Sequence, residues 1–323
     1  MLENLQIPIN LFFQSLGIWL APIMQFFSFL GTEEFFLIVM PALYWSVDPR
    51  LGMRLGWMLV LTNWVNGMAK LAFHAPRPYW VSTEVKALSS ETSFGMPSGH
   101  AQNAAALWGL ASTQVIWRWF RWLSLAIIVL IGLSRIYLGM HFAGDVLAGW
   151  AIGAVLVWLF VRLEPAILRW AGRQSLRNLG MVIFLASLVV IAGITLSNVL
   201  LGDWTLPAEW VKTAQQQTPD TPIDPRNIEG GFTLGGILFG FGTGSAWLIR
   251  RGRIPAGGTW EQRLLRYLLG LAGLIILWYG LGKIFPDDAS AISYILRYIR
   301  YALIGSWVSV FAPVLFRKLN LVK

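Results

Sequence analysis

Three groups of polar residues in this chain have types and spacings that could do chemistry. The first is the run KLAFHAPRP, where Lys70 and Arg77 stand seven apart. Pro76 and Pro78 stop the preceding helix, because proline lacks an N–H and restricts the residue before it. Lys70 and Arg77 can then converge across a bend, although cations at a span end also read as snorkelling to headgroups. The second is Pro97-Ser98-Gly99-His100, directly before an apolar run. Ser98 is a natural N-cap, Gly99 allows close backbone approach, and His100 can exchange a proton near neutral pH. Free N–H groups and the macrodipole of a helix start attract an anion; a plain cap beside an exposed histidine fits the same letters. The third is SRIYLGMHFAGD, ending in His141 and Asp145 four residues apart. On a helix they share a face, and a carboxylate on one ring nitrogen makes the other a better nucleophile. A buried ion pair tying two helices together is the plainer reading of that pair.

These residues need elements to hold them, and the composition says what kind. Of 323 residues, 56% are hydrophobic and only 13% charged, where a soluble chain needs about a quarter charged. Eighteen tryptophans suit a bilayer, since indole rings favour the headgroup level. The chain therefore reads as an all-α polytopic membrane bundle. With no cysteine, disulfides and thiolate metal sites are excluded. Crossing about 30 Å of hydrocarbon takes roughly 20 apolar residues, which places candidate spans near 13–31, 33–48, 54–73, 98–117, 122–140, 142–163, 179–201, 231–249, 264–284 and 296–316. The first could equally lie in the interface. Thr32 before Glu33 and Glu34 reads as a helix cap favoured by the dipole.

The formal charge of +9 does not point to nucleic acid, because the basic residues sit in short clusters between spans. Sixteen of the 25 fall on one side, among them Arg50, Arg54, Arg118, Arg169, Arg253, Arg263 and Lys323. By the positive-inside rule that side is cytoplasmic. The other side holds nine, including Arg297 and Arg300, together with most of the loop acids, such as Asp224 and Asp287. No Lys or Arg precedes Arg50, so a cleaved signal peptide is not expected. The organisation this suggests is a six-span catalytic core over 1–163, a basic cytoplasmic connector over 164–178, and about four further spans over 179–323. The last part includes a polar outer loop at 202–230.

Under that topology all three polar groups open on the outer face. Two cations, a third arginine at Arg135, a helix start, two histidines and an aspartate then share one rim. Positive charge and N–H groups suit a phosphoryl group, whose transition state needs its equatorial oxygens neutralised. The two histidines and Asp145 have roles here that leave no metal-ligand set.

KLAFHAPRP, PSGH and SRIYLGMHFAGD resemble, position by position, the K-x6-R-P, P-S-G-H and S-R-x5-H-x3-D motifs of the type 2 phosphatidic acid phosphatase superfamily. The resemblance covers roughly residues 30–163. GTEEFF and the extra C-terminal spans look most like the sphingosine-phosphate phosphatase branch. The resemblance implies that His141 attacks phosphorus, oriented by Asp145, and that His100 protonates the leaving alkoxide and then activates water. It implies that Lys70, Arg77, Ser98, Gly99 and Arg135 hold the phosphoryl oxygens and that no metal or other cofactor is required. His74 lies inside the first motif but is not a signature position.

The expected function is metal-independent hydrolysis of a lipid phosphate monoester at the outer leaflet, with the substrate tail in lipid. Phosphatidate, phosphatidylglycerol phosphate and sphingoid-base phosphates all fit. Undecaprenyl diphosphate hydrolysis is the alternative enzyme, with a lipid phosphotransferase behind it. A lipid transporter or scaffold that only binds headgroups is the alternative of another class. It would need the cations but not the histidine pair. A bacterial inner membrane suits the chain, with the site on the extracytoplasmic face.

Overall fold

The computed structural model describes residues 5–251, 257–286 and 288–322. Arg253, Asp287 and Lys323, counted in the charge partition, lie outside the described residues. Among the described residues every regular element is helical. The front helices are α1 (Ile7–Ser15), α2 (Ala21–Phe29), α3 (Glu33–Ala42), α4 (Pro49–Phe73), α5 (Gly99–Ser112), α6 (Arg118–Tyr137) and α7 (Ala143–Arg173). Then follow α8 (Leu176–Val199), α9 (Ala208–Gln217), α10 (Glu229–Arg250), α11 (Trp260–Ile275) and α12 (Ala291–Ser306). π-Helical turns extend α11 to Ile284 and α12 to Lys318.

Six of these are long and apolar enough to cross a bilayer: α6, α7, α8, α10 and the extended α11 and α12. The ten spans read from sequence are thus too many by this measure, and the reasons are local. The expected span at 13–31 is broken at Gly17, whose φ of +102° suits glycine alone, and its two arms meet at 88°. The expected span at 98–117 shrinks to the 14 residues of α5, about 21 Å of helix. Helix α4 has 25 residues, but Arg50, Arg54, Asn63, Asn66 and Lys70 dilute its apolar character. Helix α3 starts as expected, with the Phe35 N–H donating to Thr32 Oγ1 at 3.2 Å. The stretch 202–230, expected as a loop, contains α9, which follows Pro207 and buries Ala214.

The chain divides into two compact units. One comprises Met1–Phe36, Leu61–Phe160 and Leu196–Asn227; the other comprises Leu37–Val60, Val161–Thr195 and Ile228–Lys323. In the first, α5 lies against α7 at very short range. A Cβ at Gly149 would come within 2.6 Å of the Ser98 carbonyl, and one at Gly153 within 2.6 Å of the Gln102 carbonyl. Small residues four apart are how helices approach closely in lipid. The facing side of α5 answers with the buried Ala101 and Ala105. Polar side chains join α4 to α5. Asn66 donates to Gln102 Oε1 at 2.9 Å, Gln102 to the Thr62 carbonyl at 2.8 Å, and Asn103 to Asn63 Oδ1 at 3.0 Å. In the second unit, α10 packs on α12 through Gly236, Gly240 and Gly244, where any side chain would collide with Tyr298, Ala302 or Ser309. Trp122 and Trp158 in the first unit, and Val189 in the second, present apolar surface outward, as a lipid-facing exterior requires.

Candidate active site

The site is built in the first unit from the last turn of α4, the loop between α4 and α5, the start of α5, and the turn between α6 and α7. Lys70 and Arg77 do converge, and the residue on which they meet is Ser93. Lys70 Nζ donates to Ser93 Oγ at 2.7 Å, and Arg77 Nη2 to the same oxygen at 3.2 Å. Arg77 is fully buried. It also donates from Nε to the Ser93 carbonyl at 2.7 Å, from Nη2 to the Phe94 carbonyl at 3.1 Å, and from Nη1 to the Met140 carbonyl at 3.0 Å. A guanidinium held at this many points is pre-organised as a rigid fork.

Arg77 Nη1 also lies 3.2 Å from His141 Nε2. On the other side of the ring, His141 Nδ1 stands 3.4 Å from Asp145 Oδ2, which accepts from the Phe142 N–H at 2.9 Å. An anionic oxygen at Nδ1 assigns the proton there and leaves the Nε2 lone pair facing Arg77. Burial, then the charges of Arg77 and Arg135, hold the His141 pKa well below 6.5, so the ring is neutral. The turn that carries it is tight: the Met140 and His141 N–H groups both donate to the Arg135 carbonyl, and Gly139 has φ +75°.

Ser98 caps α5, accepting from the Ala101 N–H at 3.4 Å, and its own N–H donates to the Asp145 carbonyl at 3.0 Å. The helix start that begins with Gly99 is thereby tied to the helix that begins beside His141. Gly95 is needed for the same closure, since a Cβ there would strike the Pro76 carbonyl. His100, in the first turn, abuts the chain at Gly31, where a Cβ would sit 3.4 Å from its own. All eight residues expected at the site therefore lie in this unit around one cluster. Ser98 makes a helix cap and a backbone tie, while the hydrogen bonds of Arg77 line the cluster itself. His74 lies apart from the cluster's polar contacts: its ring packs edge-on against Trp204 and Phe94.

Sequence reasoning missed Glu91. Its Oε1 accepts from Arg135 Nη2 at 2.7 Å and stands 3.8 Å from His100 Nδ1, and its Oε2 is 3.8 Å from Arg77 Nη2. Burial alone would raise this carboxyl, but the charges of Arg77 and Arg135, then His100 and Lys70, hold it well below the usual carboxylate range. It is an anion seated among the cations expected to hold a phosphate. The missed signal was available only as a single acid in a loop without periodicity. Ser28 was missed as well; it accepts from Arg135 Nη1 at 2.6 Å and steadies the guanidinium from α2.

The segment after α8 lies over the loop that bears Arg77 and Glu91. Trp204 and Trp210 pack on Phe94 and Trp80, Gln217 Oε1 accepts from the Ala87 N–H at 2.8 Å, and the Asp224 N–H donates to the Thr92 carbonyl at 3.0 Å. Arg226 clamps its base through Asn198 Oδ1 at 2.9 Å and the Trp204 carbonyl at 2.9 Å.

Chemically, the cluster can bind a tetrahedral anion between three cations and a helix start, and it presents a neutral imidazole lone pair to it. The chain is similar to several phosphatases. Glucose-6-phosphatase 3 of Bos taurus is 29% identical over 311 residues, 88% of this chain and 86% of its own. Sphingosine-1-phosphate phosphatase 2 of Homo sapiens is 36% identical over 151 residues, 42% of this chain and 37% of its own. Among solved structures, the transmembrane PAP2 type phosphatidylglycerolphosphate phosphatase from Bacillus subtilis covers 51% of this chain and 87% of its own, with 25% identity and a TM-score of 0.45. The PAP2 superfamily matches residues 51–169, across every residue of the cluster named from the three motifs, and the transmembrane extension of PAP2 superfamily phosphatases matches residues 232–323. The chain belongs to the PAP2 superfamily of membrane phosphatases.

Proposed function

We propose that the chain hydrolyses a phosphate monoester through a phosphohistidine on His141. The observation that carries this reading is the direction of the His141 lone pair: Nε2 faces Arg77 at 3.2 Å while Asp145 holds Nδ1. A histidine that served only as an ion-pair partner would have no reason to aim its free nitrogen into a cation cluster. In the first step Nε2 attacks phosphorus, the P–O bond to the leaving group breaks, and His100 gives the departing oxygen its proton. In the second, His100 takes a proton from water as that water attacks the phosphohistidine, releasing phosphate and restoring Nε2. Lys70, Arg77, Arg135, the Ser98 hydroxyl and the Gly99 N–H neutralise the equatorial oxygens. A phosphoryl group that enters displaces Glu91 from Arg135.

The substrate proposed is a lipid phosphate monoester, taken from the outer leaflet, with residues 1–163 as the catalytic part, 164–178 as a cytoplasmic connector and four further spans over 179–323. The shared segment with the sphingosine-1-phosphate phosphatase supports this. One observation favours a second substrate class, a sugar phosphate. The likeness to glucose-6-phosphatase 3 runs along 88% of the chain, whereas that to sphingosine-1-phosphate phosphatase 2 covers 42%. Purified protein in detergent with EDTA, offered sphingosine 1-phosphate, phosphatidate, undecaprenyl diphosphate and glucose 6-phosphate, tests both. Phosphate release from a lipid monoester supports the first reading, and release from glucose 6-phosphate alone replaces it with the second. No release from any substrate, or full release by His141→Ala, contradicts catalysis by this site.

A further inference from the structure

The turn that carries His141 is held from outside the three motifs, by the first helix of the chain. Gln6, just before α1, and Asn10 and Gln14 within it fall at four-residue intervals, so their side chains share one face. All three are spent on the backbone around His141. Asn10 is fully buried, and both hydrogens of its Nδ2 are used, on the Ile136 carbonyl at 2.9 Å and on the His141 carbonyl at 3.0 Å. Gln6 Oε1 accepts from the Gly144 N–H at 2.7 Å, one of the free donors in the first turn of α7. Gln14 donates to the Tyr137 carbonyl at 3.0 Å and pairs in both directions with Lys86, donating to its carbonyl at 2.8 Å and accepting from its N–H at 3.0 Å.

We propose that Asn10 is a positioning residue for His141, holding the turn between α6 and α7 from α1, while Gln6 and Gln14 dock that helix beside it. The inference rests on the phosphohistidine reading above. Its physical basis is that Asn10 joins the last turn of α6 to the His141 peptide with one amide. Without it, the 138–142 turn keeps its internal bonds to Arg135 but loses the only side chain, among the described residues, bonded to the His141 carbonyl. Small misplacements of an attacking atom are costly, since about 1 Å can lower a rate on the order of a hundredfold.

The test is single-turnover rapid quench on the full chain in detergent with radiolabelled phosphate monoester, reading the rate at which label appears on the enzyme. Asn10→Ala is expected to slow that step by roughly 10- to 100-fold, with KM changed less than about threefold and with hydrolysis of preformed phosphoenzyme slowed less. Gln14→Ala, which loosens the same helix without touching the His141 carbonyl, is the control for mere destabilisation, compared at matched thermal stability. Asn10→Leu, which is close in size but has no polar hydrogen to give either carbonyl, should reproduce Asn10→Ala and serves alone if the alanine variant does not fold. A labelling rate within about twofold of wild type in either Asn10 variant, or a loss no larger than that of Gln14→Ala, overturns the inference. Absence of label on the wild type would be a different failure, of the phosphohistidine reading itself.

Discussion

The two compact units share glycine contacts between helices but differ in how much polar surface they bury. In the unit Ile228–Lys323 and its companions, α10 meets α12 through Gly236, Gly240 and Gly244, which bring backbones together, with a half-buried Glu229–Arg297 ion pair at one end. The unit that holds the motifs also uses glycines, at Gly149 and Gly153, but it adds Asn10, Asn66, Arg77, Gln102, Arg135, His141 and Asp145 to its buried interior. Buried polar groups cost free energy unless satisfied, and here each of them makes at least one polar contact. The polar interior of the first unit is what the proposed chemistry requires.

That contrast can be broken at three points. The largest effect is expected at Arg77. Arg77→Ala should lower kcat about a thousandfold, roughly 4 kcal/mol of transition-state stabilisation, because the guanidinium faces both the incoming oxygens and His141. A loss under tenfold would make Arg77 a structural strut. Next comes the second unit: Gly240→Leu should destabilise the protein by about 3 kcal/mol in thermal or denaturant unfolding, since the added side chain meets the Ala302 carbonyl. Turnover per folded molecule should stay near wild type. Loss of turnover in the folded fraction would give the glycine face a catalytic part.

The smallest effect is at Glu91, which the charges of Arg77 and Arg135 hold ionised. A carboxyl whose folded pKa lies below its unfolded value of 4.5 contributes stability above that pH and loses it as pH falls below. Wild type should exceed Glu91→Gln by about 2 kcal/mol at pH 7 in unfolding measurements, and the gap should narrow below pH 4.5. A gap that holds constant from pH 7 to pH 3.5 would mean that the charge on Glu91 is not what stabilises.

How much of this was legible beforehand depends on what kind of signal each part leaves. The motif residues were legible because proline, Ser-Gly-His and the His141–Asp145 spacing constrain local geometry within a few residues. The helical class followed from composition. The spans were less legible: hydropathy alone could not see that Gly17 breaks the first segment or that α5 ends at Ser112. Glu91 left no trace, because its partner lies 44 residues away and nothing periodic marks a loop acid; Gln6, Asn10 and Gln14 do repeat every four residues, but Asn10 meets a carbonyl 131 residues away, and the repeat alone does not say what that face meets. Gln102 and Asn103 follow Ser-Gly-His directly, yet their use in joining α5 to α4 depends on which faces meet.

The central claim is that His141 carries the phosphoryl group, and it can be measured directly. Wild-type protein mixed with radiolabelled phosphate monoester and quenched in denaturant should retain label that is stable in base and lost in acid, as an N–P bond requires, and peptide mapping should place it on the segment containing His141. His141→Ala should retain none. Label on another residue, or steady turnover with no labelled enzyme at any quench time, would contradict the account.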